Sequence, residues 1–113
     1  MACIFCEIAR GAIPAQIVYS SPEVTAFRDI NPQAPTHILV IPNQHVESIA
    51  NLGSSDATLL ARLVEVANEL ARQEGIAESG FRVVTNHGAN GGQTVPHLHL
   101  HLLGGRPMTW PPG

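Results

Sequence analysis

The sequence predicts an α+β domain with an antiparallel sheet of about five strands, and two observations support this prediction. One long amphipathic segment lies in the middle of the chain, with short runs of β-branched and apolar residues on either side of it. Several of these runs follow one another without an intervening helix, which is typical of antiparallel neighbours rather than of strand–helix–strand units. A chain of 113 residues suits one hydrophobic core, so we expect a single domain over 1–113.

The first half of the chain is predicted to form a short helix and three strands. Residues 3–9 place Ile4, Phe5 and Ile8 at helical spacing, and Gly11 and Pro14 follow as terminators. Strands are expected over 17–19, 24–30 and 37–41. The last of these is a β-branched run that stops at a proline, which is typical of an interior strand.

The second half is predicted to form the long helix and two more strands. The helix begins with a cap at Ser54 or Ser55 and ends near Gly75, and its leucines recur on one face. Strands are expected over 81–85 and 97–103, with the glycine-rich stretch 88–92 between them.

Composition excludes several classes of function. Only 13% of residues are charged, the net charge is −3, and the basic residues are all arginine, so no basic face for a nucleic-acid polymer is expected. No apolar run approaches the ~20 residues that span a bilayer, and the first residues do not resemble a secretory signal. We therefore expect a cytoplasmic protein without a membrane partner.

Three histidines alternate in the last predicted strand. His97, His99 and His101 should project to one face about 7 Å apart, while Leu98 and the next alternate leucines enter the core. Like charges oppose one another, so at least one imidazole should stay neutral near pH 7 and be able to act as a nucleophile or base. The alternatives are a zinc site, which needs a further ligand, and a strand whose histidines face solvent.

The turn before this strand suits an anion. Gly91 and Gly92 lack a Cβ, so their backbone can approach a phosphate closely and direct its amides at it. Thr94 adds a hydroxyl that can donate to a phosphoryl oxygen or to a departing group.

Three separated motifs resemble one known family. They are GGQTVPHLHLHLL at 91–103, FRDINPQAPTHILVIP at 27–42, and GGRPMTWPPG at 104–113. The first resembles the signature of the histidine-triad (HIT) superfamily, and the other two resemble its HINT branch. The resemblance runs over essentially the whole chain.

The resemblance implies a HIT-like fold, a homodimer whose sheets join across the interface, and a hydrolase that needs no catalytic cofactor. The substrate would be a purine nucleoside 5′-phosphoramidate, whose P–N bond is split. His99 would be the nucleophile, with its other ring nitrogen held by a backbone carbonyl. His101 and His37 would bind phosphate and manage protons, His97 would shape the same pocket, and Thr94 would contact the phosphate.

The resemblance also implies the residues that bind the nucleotide. Asp29 would accept hydrogen bonds from both ribose hydroxyls, and Asn86 would face the phosphate or ribose. Phe5, Ile8, Phe27 and Ile30 would form the slot for the purine, although ordinary core packing is the alternative for apolar residues. Gly92 would approach the phosphate, and Trp110 would lie near the active site of the partner subunit.

Cys3 and Cys6 point to two alternatives. Some relatives carry such a pair and resemble a structural zinc site, in which the matching histidines here would be His45 and His97. The alternative is a pair of reduced thiols at the start of a helix.

Two other functions remain open for the whole chain. One is hydrolysis of dinucleoside polyphosphates, an activity of other members of the superfamily. The other is a nucleotide-binding regulatory module with little turnover.

Overall fold

The protein, described over residues 3–113 of a computed structural model, contains two α-helices and five strands. The N-terminal helix α1 covers Ile4–Ala9 and the long helix α2 covers Ala57–Gln73. The strands are β1 (Ile17–Ser20), β2 (Val24–Arg28), β3 (Thr36–Pro42), β4 (Phe81–Val84) and β5 (Leu100–Gly104). The predicted α+β class is confirmed.

The five strands form one antiparallel sheet in the order β1-β2-β3-β5-β4. Strand β3 lies at its centre and every residue of it is buried, as its unbroken apolar run predicts. Its pairing with β5 sets Leu39 opposite His101 and His37 opposite Leu103. Because side chains alternate along a strand, His37 and His101 lie diagonally on the same face of the sheet.

The two faces of the sheet carry different layers. Helix α2 packs on one face, against alternate residues of β2, β3 and β5, which include Leu100 and Leu102, and against Leu98 just before β5. The leucines between the histidines therefore enter the core, as predicted. On the opposite face, Phe5 and Ile8 of α1 pack against Phe27, Leu39 and Ile41. The histidines of the sheet share this second face.

Several element ends differ from the prediction. Strand β5 begins at Leu100, so His97 and His99 precede the regular strand, where the chain bends. Strand β2 ends at Arg28, because the chain turns away at Asp29. Helix α2 begins at Ala57 after a 3₁₀ turn over Ser54–Asp56, in which the Asp56 carboxylate accepts from the Gly53 amide.

The helix ends are otherwise as expected. Cys3 is the N-cap of α1, and Gly75, with a φ of 75°, follows the end of α2 in a left-handed conformation that suits glycine. Over residues 3–113, neither helix combines the length and the apolar character that crossing a membrane requires.

Candidate active site

An open pocket of about 490 Å³ lies on the α1 face of the sheet. Helix α1, the segment after it and the end of β2 form one wall, and the histidine segment forms the other. The residues predicted for the site that line this pocket are Phe5, Ile8, Phe27, Asp29, Ile30, Thr94, His99 and His101. Residues far apart in sequence are thus brought together as predicted.

One end of the pocket is apolar. The rings of Phe5 and Phe27 meet edge to face with centroids 5.3 Å apart, and Ile8 packs beside them. Ile13 and Leu39 also line this end, although nothing in the sequence pattern singled them out. Ile30 is fully exposed at the rim. No side chain of residues 3–113 covers Ile30 there, so only a bound ligand would shield it from solvent.

His99 presents one ring nitrogen to the pocket. Its Nδ1 lies 2.7 Å from the backbone carbonyl oxygen of His97. A carbonyl only accepts, so Nδ1 carries the proton and the lone pair of a neutral ring resides on Nε2. His99 is only 5% exposed. The centroid of its ring lies 5.1 Å from that of Phe5 and 5.0 Å from that of His101. The expected carbonyl contact is present.

His37 and His101 form a hydrogen-bonded pair whose proton positions follow from one backbone amide. The N–H of Gln33 donates to Nδ1 of His37 over 3.0 Å. Nε2 of His37 therefore carries the proton and donates to Nδ1 of His101 over 2.9 Å. His101 is left with its proton on Nε2.

Burial keeps both of these imidazoles neutral. It lowers the pKa of His37, against an opposing effect of the Asp29 charge. Burial, followed by the charges of His99 and His37, lowers the pKa of His101 to about 4. Near pH 7, His101 thus presents a neutral N–H donor rather than an imidazolium.

Asp29 lies at the end of β2, where the chain leaves the sheet. Its Oδ1 accepts from the amide of Asn31 over 2.8 Å, and its Oδ2 lies 3.5 Å from Nε2 of His37. The first contact holds the turn that precedes Pro32, and it leaves lone pairs on both oxygens. The carboxylate lines the pocket and is able to accept two hydroxyl donors.

Four potential metal ligands meet beside the pocket. Sγ of Cys3 lies 3.3 Å from Nδ1 of His97, Sγ of Cys6 lies 3.4 Å from Nδ1 of His45, and all four ligand atoms lie within 4.8 Å of one another. Tetrahedral zinc with ordinary bond lengths sets its ligand atoms about 3.3–3.8 Å apart, which matches these distances. Burial, together with the neighbouring Cys3, raises the pKa of Cys6, so a cation would have to displace its proton.

The ring of His97 suits this cluster and not the pocket. Its Nε2 donates to the carbonyl of Pro42 over 2.8 Å, which leaves the Nδ1 lone pair facing the two sulfurs. His97 is fully buried and does not line the pocket. The prediction that His97 shapes the substrate pocket directly is therefore wrong, because the chain bends before β5 and turns this ring toward α1.

A second group, Asp29, His37 and His101, also lies close enough to suggest a metal. Its hydrogen bonds argue against one, because the Gln33 amide occupies Nδ1 of His37 and Nε2 carries the proton. A metal would have to break this chain of hydrogen bonds.

Two predicted contacts differ from the structure, and a third is not tested by it. Asn86 does not line the pocket, because its side-chain amide donates to the carbonyl of Gly91 over 2.6 Å. The amide of Gly92 donates to Ala89 inside the glycine-rich turn, so it is not free for an anion. Trp110 is 83% exposed, and its contact with a partner subunit stays a prediction.

Two backbone partners of the histidines were not found from the sequence. They are the Gln33 amide, which donates to His37, and the Pro42 carbonyl, which accepts from His97. Backbone groups are common to all residues, so only the proximity of Gln33 to His37 along the chain offered any signal.

Comparisons with known proteins agree with this geometry. The family model described as "HIT domain" matches residues 10–108. The purine nucleoside phosphoramidase of Escherichia coli K12 is 51% identical over 105 residues, which cover 93% of this chain and 88% of that protein. The 14 kDa zinc-binding protein of Zea mays is 50% identical over 112 residues, which cover 97% and 87% respectively.

A solved structure extends the likeness to three dimensions. A HIT family hydrolase from Legionella pneumophila superposes with a TM-score of 0.98 at 53% identity, and the match covers 99% of this chain and 100% of that one. The fold and the histidine site thus define a hydrolase. More particularly, the chain belongs to the HIT domain family.

Proposed function

We propose that the protein hydrolyses the P–N bond of purine nucleoside 5′-phosphoramidates through a nucleotidyl intermediate on His99. The hydrogen bond from Nδ1 of His99 to the His97 carbonyl carries this proposal, because it directs the lone pair of the other nitrogen to the pocket. The substrate class is supported by the 51% identity to the purine nucleoside phosphoramidase of E. coli.

In the first step, Nε2 of His99 attacks the α-phosphorus. The P–Nε2 bond forms, the P–N bond of the substrate breaks, and the amine leaves after its nitrogen has gained a proton from solvent water in the open pocket. The ring becomes positively charged in the intermediate, and the His97 carbonyl stabilises that charge through the Nδ1 proton.

In the second step, water attacks phosphorus and releases one proton to the solvent of the open pocket, the P–Nε2 bond breaks, and the lone pair returns to Nε2 of His99. His101 directs its Nε2–H at a phosphoryl oxygen, because its Nδ1 accepts a hydrogen bond from His37, and its pKa of about 4 keeps the ring neutral near pH 7. Thr94, exposed on the pocket wall, supplies a hydroxyl for the phosphate or the departing amine.

The remaining pocket residues hold the nucleoside. Phe5, Ile8 and Phe27 supply the apolar slot for the purine, with Ile30 covering it at the rim. Asp29 accepts hydrogen bonds from the ribose hydroxyls.

The proposal includes a structural zinc ion bound by Cys3, Cys6, His45 and His97. The donor distances and the Nδ1 lone pair of His97 support it, and zinc there would cross-link α1 to the histidine segment without taking part in the reaction. Metal analysis of protein purified without added zinc should find about one equivalent per chain. A content near zero would leave Cys3 and Cys6 as reduced thiols.

We also propose a cytoplasmic homodimer in which residues 1–113 form one domain and the sheets join at β4. Strand β4 is an edge of the sheet, and Val83 on it and Trp110 in the tail are exposed apolar side chains. The two free cysteines fit a reducing compartment.

The reaction is tested by comparing two substrates and two histidine variants. A fluorogenic adenosine 5′-phosphoramidate should be turned over much faster than a diadenosine polyphosphate. His99→Ala should lower kcat at least about 10³-fold while AMP affinity changes little. His87→Ala, which removes a histidine that contacts Ser48 outside the pocket, is the matched control.

Two results would contradict the proposal. Faster turnover of the dinucleoside polyphosphate would assign the other hydrolase activity, and negligible turnover of both with tight AMP binding would assign a regulatory module. Acid-quenched wild-type protein should carry a nucleotidyl group on His99 by mass spectrometry.

A further inference from the structure

The Cys/His cluster and the pocket share two parts of the chain. Helix α1 carries Cys6 toward the cluster and Phe5 and Ile8 toward the pocket. His97 offers its ring to the cluster, while its carbonyl accepts from Nδ1 of His99. The ring of Phe5 lies between them, 5.9 Å from His97 and 5.1 Å from His99 between centroids.

We propose that a metal ion held by Cys3, Cys6, His45 and His97 positions the active site, by fixing the purine wall on α1 and the ring of His99. This inference rests on the proposed zinc site and nucleotide pocket. It gives the metal a role in substrate affinity that reaches beyond holding the fold together.

Helix α1 needs such an anchor. It has six residues, and isolated helices of this length are unstable in water. Its N-cap Cys3 makes no side-chain hydrogen bond to the first turn. Phe5 and Ile8 hold one side of α1 to the sheet, and a metal bound by Cys3 and Cys6 would fix its first turn.

The link to the nucleophile runs through a single residue. The ring of His97 is held at both nitrogens, by the Pro42 carbonyl on one side and by the sulfurs on the other. Residues 97–99 precede the regular pairing of β5. Other hydrogen bonds hold their backbone, among them those from the Leu98 amide to the Val46 carbonyl and from the Thr85 hydroxyl to the His99 carbonyl. A fixed ring at His97 therefore limits the movement of its carbonyl, and with it the movement of His99.

The first experiment measures AMP affinity, which needs no turnover. Protein loaded with one equivalent of zinc is compared with protein depleted by a chelator under reducing conditions. We expect depletion to raise the AMP Kd about tenfold, because α1 must then be ordered when the nucleotide binds. Cys6→Ser should raise it similarly, whereas Arg10→Ala, which removes an exposed ion pair with Glu7 on the same helix, should not.

The second experiment locates the change. On metal depletion, amide hydrogen exchange should accelerate over residues 5–9 and 97–99, while the buried face of α2 keeps its protection. The ¹⁵N shifts of His99 should show a single Nδ1–H tautomer in loaded protein and a tautomer mixture after depletion.

Each outcome decides between the alternatives. An AMP Kd unchanged within about twofold after metal loss would overturn the inference and leave the phosphoramidase proposal intact. Loss of protection throughout the chain would show that the metal only maintains the fold. Absence of zinc binding would remove both the metal site and this inference, and failure of loaded protein to bind AMP would contradict the proposed function itself.

Discussion

Nε2 of His37 lies 2.9 Å from Nδ1 of His101, and the proton between them belongs to His37. Two residues that are 64 positions apart thus decide together which nitrogen of His101 carries a proton. Their diagonal placement in the β3–β5 register makes the contact possible. The position of the proton on His101 is therefore set by strand pairing as well as by the histidine motif.

This pairing predicts a difference between two substitutions. His37→Ala removes the donor to His101 and should lower kcat about 10²-fold. His37→Gln places an amide N–H close to the position of Nε2 and should restore part of the loss. Steady-state kinetics with the adenosine phosphoramidate measure both, and equal losses in the two variants would contradict the assigned proton position.

The low pKa of His101 predicts lower stability in mild acid. An unfolded histidine titrates near pH 6.5 and the folded ring near 4, so the unfolded chain binds more protons between these values. Stability from this group is complete above pH 6.5 and is lost as the pH falls toward 4. His37, His99 and Asp29 face the ring and share its environment. We expect the free energy of unfolding, measured in urea at matched zinc content, to decrease less between pH 7 and pH 5 in His101→Gln than in the wild type.

Arg28 and Glu74 form a bidentate ion pair that should stabilise the fold. Two contacts of 2.8 and 2.9 Å join the end of β2 to the end of α2, and Arg28 lowers the pKa of Glu74 through these hydrogen bonds. Glu74→Gln should reduce the free energy of unfolding by about 1–2 kcal/mol. The control is Glu65→Gln, whose single contact with Arg62 is 3.7 Å and exposed, and whose loss should have little effect. Comparable losses would contradict the role of bidentate geometry.

Gly104 should not tolerate a side chain. A Cβ there would lie 2.4 Å from Cδ1 and 3.1 Å from Cβ of Ile76, whose 4% exposure leaves its side chain little room to move. Gly104→Ala should destabilise the protein by about 1–3 kcal/mol. Ile76→Val removes the clashing atom, so the double variant should lose less than the sum of the single changes in urea unfolding. A double variant whose loss of stability equals the sum of the two single losses would argue against a contact between positions 104 and 76.

The edge strand β4 predicts the site of dimerisation. Val83→Arg should lower the mass measured by light scattering toward that of one chain, because it introduces a charge at the proposed interface. Val64→Arg is the matched control, since Val64 on α2 is 44% exposed and Val83 is 42% exposed. If Val64→Arg alone converts the dimer to monomers, the interface lies on α2 and not on β4.

Much of the fold was predictable because its signals are local. The leucines of α2 and the β-branched run of β3 each repeat with the period of their element. The bend before β5 was not predictable, because alternation of His97, His99 and His101 looks the same in a strand and in an extended segment. That bend separates His97 from the pocket.

The site was predictable to a different degree. Eight of the residues lining the pocket followed from the family resemblance, whereas Ile13 and Leu39 did not. The contacts of Asn86 and Gly92 differed, because both are used inside the glycine-rich turn. Proton positions on the imidazoles depend on backbone groups at a distance, and these require the three-dimensional structure.

The alternation of Leu98, Leu100 and Leu102 with three histidines has a consequence for protein engineering. Every second position of this segment is committed to the interior, and the intervening positions carry imidazoles on the opposite face of the sheet. Insertion or deletion of one residue would exchange the two sets, so any retuning of the imidazoles has to proceed by substitution at constant length.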